Sequence, residues 1–347
     1  MNKVRGLNFI KIILSLAFMA FILYYIYGKN PESLKRDLQL VNYKFVIFSF
    51  IFGAWAYINR GLRWLILIDA LGYKTSKINS IAAVSAGYLT NLFIPRAGEI
   101  SRCAYLKTSD NIPVNKLFGT VLIERVIDFA ALVVFIFFII LLKSTDIIQS
   151  YHEYSNIQFP ESNYKVIIIG AIVLIGILSY VFKSKIKKLP FYKKIASFID
   201  GLKDGFNSIK KMKKKTLFWA HTFSIWIMYF LMTYICFQAI PETSHLGVSD
   251  GLFLLVLGGI GMVIPAPGGF GSYHLFVMIG LIALKIPVPN DFLPLTFERI
   301  TAGYDEYNPA MLFPFVVHTA QTFVAIIMGS IGLWILTLSK KKTNVTS

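Results

Sequence analysis

The chain has 347 residues, 56% of them hydrophobic and only 15% charged, with a formal net charge of +17. A soluble domain carries about 25% charged residues, so this balance excludes a water-soluble fold and indicates a polytopic membrane protein. The basic excess is not a nucleic-acid surface either, because it sits mainly in short loops beside apolar runs, as in cytoplasmic loops of membrane proteins.

About 20 apolar residues cross the hydrocarbon core as a helix. Full spans are expected over 7–27, 45–69, 117–142, 164–182, 216–239 and 310–338. The first is followed by Tyr24, Tyr25 and Tyr27 rather than by a small-residue cleavage site, and is read as a retained span. Two further regions, 78–106 and 250–285, are apolar but broken. The first break reads IPRAGEISR over 94–102, and the second IPAPGGFGS over 264–272. A bilayer tolerates irregular backbone only where protein buries it or where it lines a polar cavity. Paired interrupted segments, one in each half, mark the binding region of many transporters.

Loop charge orders these segments. Residues 183–215 carry twelve lysines against Asp200 and Asp204, and belong in the cytoplasm with Lys3, Arg5 and the tail Lys340, Lys341 and Lys342. Within this loop Phe191, Ile195, Phe198, Ile199, Leu202, Phe206 and Ile209 recur at helical spacing, the pattern expected of a basic amphipathic helix on anionic lipid; the alternative is a solvated positive-inside loop. Loops 143–163 and 286–309 are acidic and belong outside. The basic segment 28–44 disagrees, since one crossing also places it outside. Counting crossings makes 78–106 begin and end inside and 250–285 begin and end outside. The expected architecture is therefore an all-α membrane bundle: about six full spans plus two re-entrant hairpins arranged as an inverted repeat. Two pairs of short full spans would leave the loops on the same sides. The expected location is the inner (cytoplasmic) membrane, with both termini cytoplasmic.

Candidate site residues cluster at the breaks. Asn91, Arg96, Glu99 and Arg102 lie in the first, with Tyr88 just before it. Ionisable groups at membrane depth are costly and face a polar interior, and the planar guanidinium suits phosphate. The alternative is that Arg96 and Arg102 snorkel to the headgroups. Glu124 and Asp128 stand at i, i+4 on one helical face, with Arg125 about 100° round the helix. They suit either an internal ion-pair network with Arg60, Arg63 or Arg102, or the lining of a headgroup cavity. Arg60 and Arg63 share a face and point toward the same clamp, whereas Trp64 and Asp69 read as an interfacial belt. In the second break, Pro265, Gly268, Gly269 and Ser272 offer backbone amides and one hydroxyl, or simply close packing through small residues. It lacks the Lys and Ser/Thr of a phosphate loop. Each of His221 and His318 lies alone in an apolar span and is expected to be a buried, hydrogen-bonded imidazole. Cys103 and Cys236 are the only cysteines, so no disulfide framework is in play. No catalytic constellation, metal cluster or cofactor motif is visible.

Four motifs stand in order: RxxRW over 60–64, NxxIPRAGEIxR over 91–102, ERxxD over 124–128, and IPAPGGFGS over 264–272. Together they resemble the transmembrane region of lysylphosphatidylglycerol synthase, the flippase-like domain family. The resemblance spans most of the chain. It implies a bundle of about eight membrane segments and a role in moving a modified phospholipid between leaflets. Arg96, Glu99, Arg102, Glu124, Arg125 and Asp128 match its charged motif positions. The full-length synthases append a soluble aminoacyl-transfer domain, which is not expected here. The expected function is lipid translocation of a phosphate-bearing, aminoacylated or glycan-linked lipid, downhill or ion-coupled because no nucleotide motif is present. The alternative is a non-transporting scaffold for a lipid- or glycan-modifying enzyme, docked through 183–215; a homodimer or an enzyme partner is left open.

Overall fold

The computed structural model describes residues 31–154, 212–289 and 306–345. The expected spans 7–27 and 164–182, and the amphipathic segment up to residue 211, lie outside them. The described part is helical: α1 (Pro31–Gln39), α2 (Tyr43–Ala70), α3 (Lys77–Phe93), α4 (Gly98–Asp110), α5 (Val114–Tyr154), α6 (Lys215–Tyr234), α7 (Val248–Val263), α8 (Ser272–Ala283) and α9 (Pro309–Val345). Four helices are long and apolar enough to cross a membrane: Tyr43–Ala70, Val114–Lys143, Lys215–Ala239 and Pro309–Ser339. These are the expected spans at 45–69, 117–142, 216–239 and 310–338.

Local chemistry sets the helix ends. Asn42 caps α2 by accepting the Lys44 N–H, and Ser76 caps α3 by accepting the Asn79 N–H. Asn111 ends α4 in the left-handed conformation at φ 58°. Asn308 accepts the Met311 N–H at 3.1 Å and Pro309 takes the first helical position of α9. Segment 28–44, expected as a loop, contains α1. Its Asp37 and Val41 are buried while Arg36 and Leu40 face out.

The breaks at 94–97 and 264–271 fold α3 against α4 and α7 against α8, giving two helical hairpins. Their arms have 17, 13, 16 and 12 residues. At about 1.5 Å per residue these are roughly 18–26 Å long, shorter than a hydrocarbon core of about 30 Å. Helix α9 orders the hairpins along one axis. Its Phe313 packs on Phe237, its His318 meets Gly268 O at the second break, its Gly329 lies on Leu89, and its Ser339 hydroxyl bonds Asn79 at the start of α3. The second hairpin therefore lies beside the first half of α9, the first hairpin beside its second half, and the tips meet between them. Arg96 Nη2 donates to Val263 O at 2.9 Å, and Leu92 packs on Gly268. The hairpins enter from opposite ends, as an inverted pair does.

Helices α2 and α6 run antiparallel over their full length, from Asn42 N–H on Ala239 O at 2.8 Å to Lys214 on Asp69 at 3.0 Å. Segment 31–42 thus lies at the end that holds the base of the second hairpin, away from the Lys214 end, in keeping with the crossing count. Among the described residues two large apolar cores and a smaller one around Tyr57, Met232 and Val324 result. One large core packs Phe237, Leu254, Val277, Leu281 and Phe313 around the second hairpin, and the other packs Trp64, Ile68, Leu106, Leu117 and Phe218 around the first.

Close backbone approach within the first hairpin depends on Gly98, where an added Cβ would collide with the Gly87 carbonyl oxygen. Backbone cannot yield as a side chain can. Gly98→Ala is expected to destabilise the fold by about 1–3 kcal/mol. Gly119→Ala, where nothing lies within 4 Å, is expected to be neutral or slightly stabilising. Thermal midpoints of the two variants in detergent check this ordering.

Candidate functional site

The site is built from one face of α2 and one face of α5. Arg60 and Arg63 stand three residues apart on α2, and Glu124 and Asp128 four apart on α5, so each pair shares a helix face. The faces oppose one another. Arg63 Nη1 and Nη2 bind Asp128 Oδ1 and Oδ2 at 2.7 and 3.0 Å, a bidentate fork. Its Nε donates to Glu124 Oε1 at 3.2 Å. Arg60 Nη1 reaches Asp128 Oδ2 at 3.1 Å and its Nε donates to the Tyr229 hydroxyl at 2.5 Å. From α4, Arg102 Nη2 donates to Glu124 Oε2 at 2.5 Å, and its guanidinium lies 4.5 Å from the Trp64 ring centroid.

The cluster is buried. The Arg63 and Glu124 side chains are 0% and 1% exposed. It is also unbalanced among the described residues, because three arginines face two carboxylates. Arg125, on the neighbouring face of α5, pairs with Glu99 at 3.3 Å, with the two side chains 40% and 21% exposed. That pair is neutral and leaves the excess in place. Three charged atoms are buried without a hydrogen-bond partner among the described residues: Arg102 Nε, Arg125 Nε and Glu99 Oε2.

At the first tip Asn91 Oδ1 accepts the Gly98 N–H at 2.6 Å, which caps α4. Arg96 sits at φ 60°, a conformation rarely used by residues with a Cβ. Its side chain caps the C-terminus of α7 through Val263 O, where a cation is favoured by the helix dipole. At the second tip Pro265 is exposed and Gly269 buried, with Gly268, Gly269 and Gly271 at φ 56°, 81° and 81°. The Ser272 hydroxyl donates to Gly269 O at 3.3 Å, within the turn.

The structure thus joins Arg60, Arg63, Arg102, Glu124 and Asp128 into the internal network that was one of the two sequence alternatives. Glu99 and Arg125 stand beside it, and Asn91 and Arg96 shape the tips. Pro265, Gly268, Gly269 and Ser272 form the opposing turn and carry no charge to the cluster. Trp64 corrects an expectation. It is 0% exposed and donates to Thr120 Oγ1 at 2.8 Å, so it is a buried platform for Arg102 and not part of an interfacial belt. Asp69 is exposed and pairs with Lys214. Sequence reasoning missed Tyr229 and Thr120, whose neutral side chains give no signal in an apolar span. It placed His221 as a hydrogen-bonded imidazole, and His221 Nδ1 meets Asn59 Oδ1 at 2.7 Å. Among the described residues no group of three or more His, Cys, Asp or Glu is arranged to hold a metal ion.

Breaking a buried pair strands a charge. Arg63→Ala is expected to cost about 3–5 kcal/mol, whereas exposed Arg96→Ala should cost about 1 kcal/mol or less. Unfolding midpoints of the two variants measure the difference, and equal midpoints would contradict the ranking.

Comparison with known proteins agrees with this architecture. The chain is 25% identical over 310 residues to the UPF0104 membrane protein MJ1595 of Methanocaldococcus jannaschii, covering 80% of this chain and 85% of that protein. No solved structure matches. The family model described as the lysylphosphatidylglycerol synthase TM region matches residues 9–290, across both hairpins and the arginine–carboxylate cluster, and the chain belongs to that family of integral membrane proteins.

Proposed function

We propose that this protein is a lipid transporter that moves a phosphate-bearing lipid between leaflets, with the headgroup passing the junction of the hairpin tips. The observation that supports it is the buried positive excess beside that junction. Among the described residues three arginines stand against two carboxylates, an excess of one formal charge, and Arg102 Nε and Arg125 Nε are buried donors without hydrogen-bond partners. An unpaired charge in a low-dielectric site is costly, and a phosphate oxyanion supplies both the missing charge and the missing acceptors. The N-terminus of α4 at the same tip adds a favourable dipole.

In this reading Arg63 and Asp128 are the rigid support. Arg125, partly exposed, is the movable contact, releasing Glu99 when it turns to phosphate. The family supplies a lipid setting, and the inverted hairpins supply two halves that can rock about a fixed site. Acyl chains would remain in the bilayer while the headgroup crosses.

The test is headgroup translocation of fluorescent phospholipids in proteoliposomes. The parent protein is expected to accelerate it over protein-free vesicles, and folded Arg125→Ala to slow it at least about tenfold, the loss of a charged hydrogen bond. Transport at the parental rate by folded Arg125→Ala would remove that residue from the mechanism. No acceleration by the parent with any headgroup would overturn the reading. Native mass spectrometry of the purified parent and the Arg96→Ala/Arg125→Ala variant is expected to show a phosphate-bearing lipid retained by the first and lost by the second.

A further inference from the structure

The second tip holds chemistry that the phosphate site does not use. His318, on α9, is 2% exposed, and His274, on α8, is 6% exposed. Their ring centroids are 4.9 Å apart. His318 Nε2 lies 2.9 Å from Gly268 O. A carbonyl only accepts, so Nε2 donates and holds the proton of the neutral ring. Nδ1 is left as a lone-pair acceptor, and it is buried with no hydrogen-bond partner among the described residues. A buried acceptor of this kind is uncommon in native proteins and calls for an explanation.

The surroundings supply one. Tyr273 stacks on the His318 ring at 4.9 Å with an interplanar angle of 24°, and Phe270 meets it edge-on at 4.8 Å. This aromatic, apolar shell offers Nδ1 no donor among the described residues. The titratable groups around His318 are His274 and Tyr273 from α8 and, beyond Tyr273, Cys236 from the turn after α6. Gln321 of α9 donates to the Tyr273 hydroxyl at 3.4 Å. Helix α7 contributes Met262 and α3 contributes Leu92, both against the turn glycines. No hydrogen bond or ion pair from a carboxylate, lysine or arginine to the His318 ring is found among the described residues; Arg96 meets the second hairpin at Val263 O.

We infer that His318 Nδ1 is a proton-binding site that controls the contact between the second tip and α9. With the ring neutral, Nε2–H holds the Gly268 carbonyl and the tip is docked. A proton from water taken up at Nδ1 makes an imidazolium with no facing carboxylate. Burying that charge is costly, whereas the same ion is comfortable once water reaches it, near the ordinary imidazole range of about 6.5. Protonation therefore favours the state in which the turn leaves α9. Gly268, Gly269 and Gly271, already at positive φ, let the turn change course at little backbone cost. The ligand is a proton, and the consequence is a tip junction that loosens as pH falls. This switch does not depend on the cargo being a lipid.

Hydrogen–deuterium exchange of the tip amides, corrected for intrinsic rate, tests this on the full chain in nanodiscs. Protection over 268–274 in the parent protein is expected to fall at least about tenfold between about pH 8 and about pH 5. His318→Gln keeps a donor for Gly268 O but cannot take up the proton, and its protection should not change with pH. Unchanged protection in the parent would overturn the inference, as would the full pH response surviving in His318→Gln. Should His318→Gln not fold, the ring 15N shift of His318 in the parent decides, and an Nδ1 that stays unprotonated throughout overturns it. These readouts involve no transport, so failure of lipid translocation would leave them standing.

Discussion

The guanidinium of Arg63, fully buried between Glu124 and Asp128, is the contact on which the rest of the molecule depends. It joins the longest antiparallel pair, α2 and α6, to α5, and through Glu124 it reaches Arg102 on the first hairpin. A salt bridge in this setting is not a simple gain in stability. Desolvation of the ions offsets much of their attraction. What it supplies is registry, because Arg63 has two carboxylates at fixed spacing on α5, and a slip of one helical turn would strand all of them.

That registry positions the two hairpins. Each arm is shorter than a hydrocarbon core, and the two turns meet through the Arg96 side chain on Val263 O and Leu92 on Gly268. The tips differ in chemistry. The first is charged, with Arg96 reaching across to the end of α7 and Glu99 meeting Arg125. The second is neutral, glycine-rich and packed against two imidazoles and two aromatic rings. In the readings proposed above, one tip holds an anion and the other responds to a proton. A shared junction would make the two events sense one another, since Arg96 and His318 both hold the second hairpin through its backbone carbonyls.

The network also separates two kinds of arginine. Arg60, Arg63 and Arg102 are buried in pairing and aromatic contact, whereas Arg125 and Arg96 retain exposure. Charge in a membrane segment indicates a polar interior, but it does not say which charges are structure and which are available to a ligand.

The sequence alone determined the class of protein, because runs of some 20 apolar residues have few stable solutions outside a bilayer. It also determined the four long spans that the structure describes and the positions of both breaks, since proline and glycine interrupt helices by local sterics. The i, i+4 acids on α5 and the i, i+3 arginines on α2 were legible as faces. Their partnership was not. Whether Arg63 met Glu124 or a headgroup depended on how α2, α4 and α5 pack, which no periodicity encodes. The burial of Trp64 beneath Arg102, the meeting of the tips at Val263 and Gly268, and the placing of His318 beside His274 were likewise decided only by tertiary structure. The physical reason is range. Helix, break and face are set by neighbours a few residues apart, whereas these contacts join residues 38 to 176 positions distant (102 − 64 and 268 − 92), and only the packed bundle brings them together.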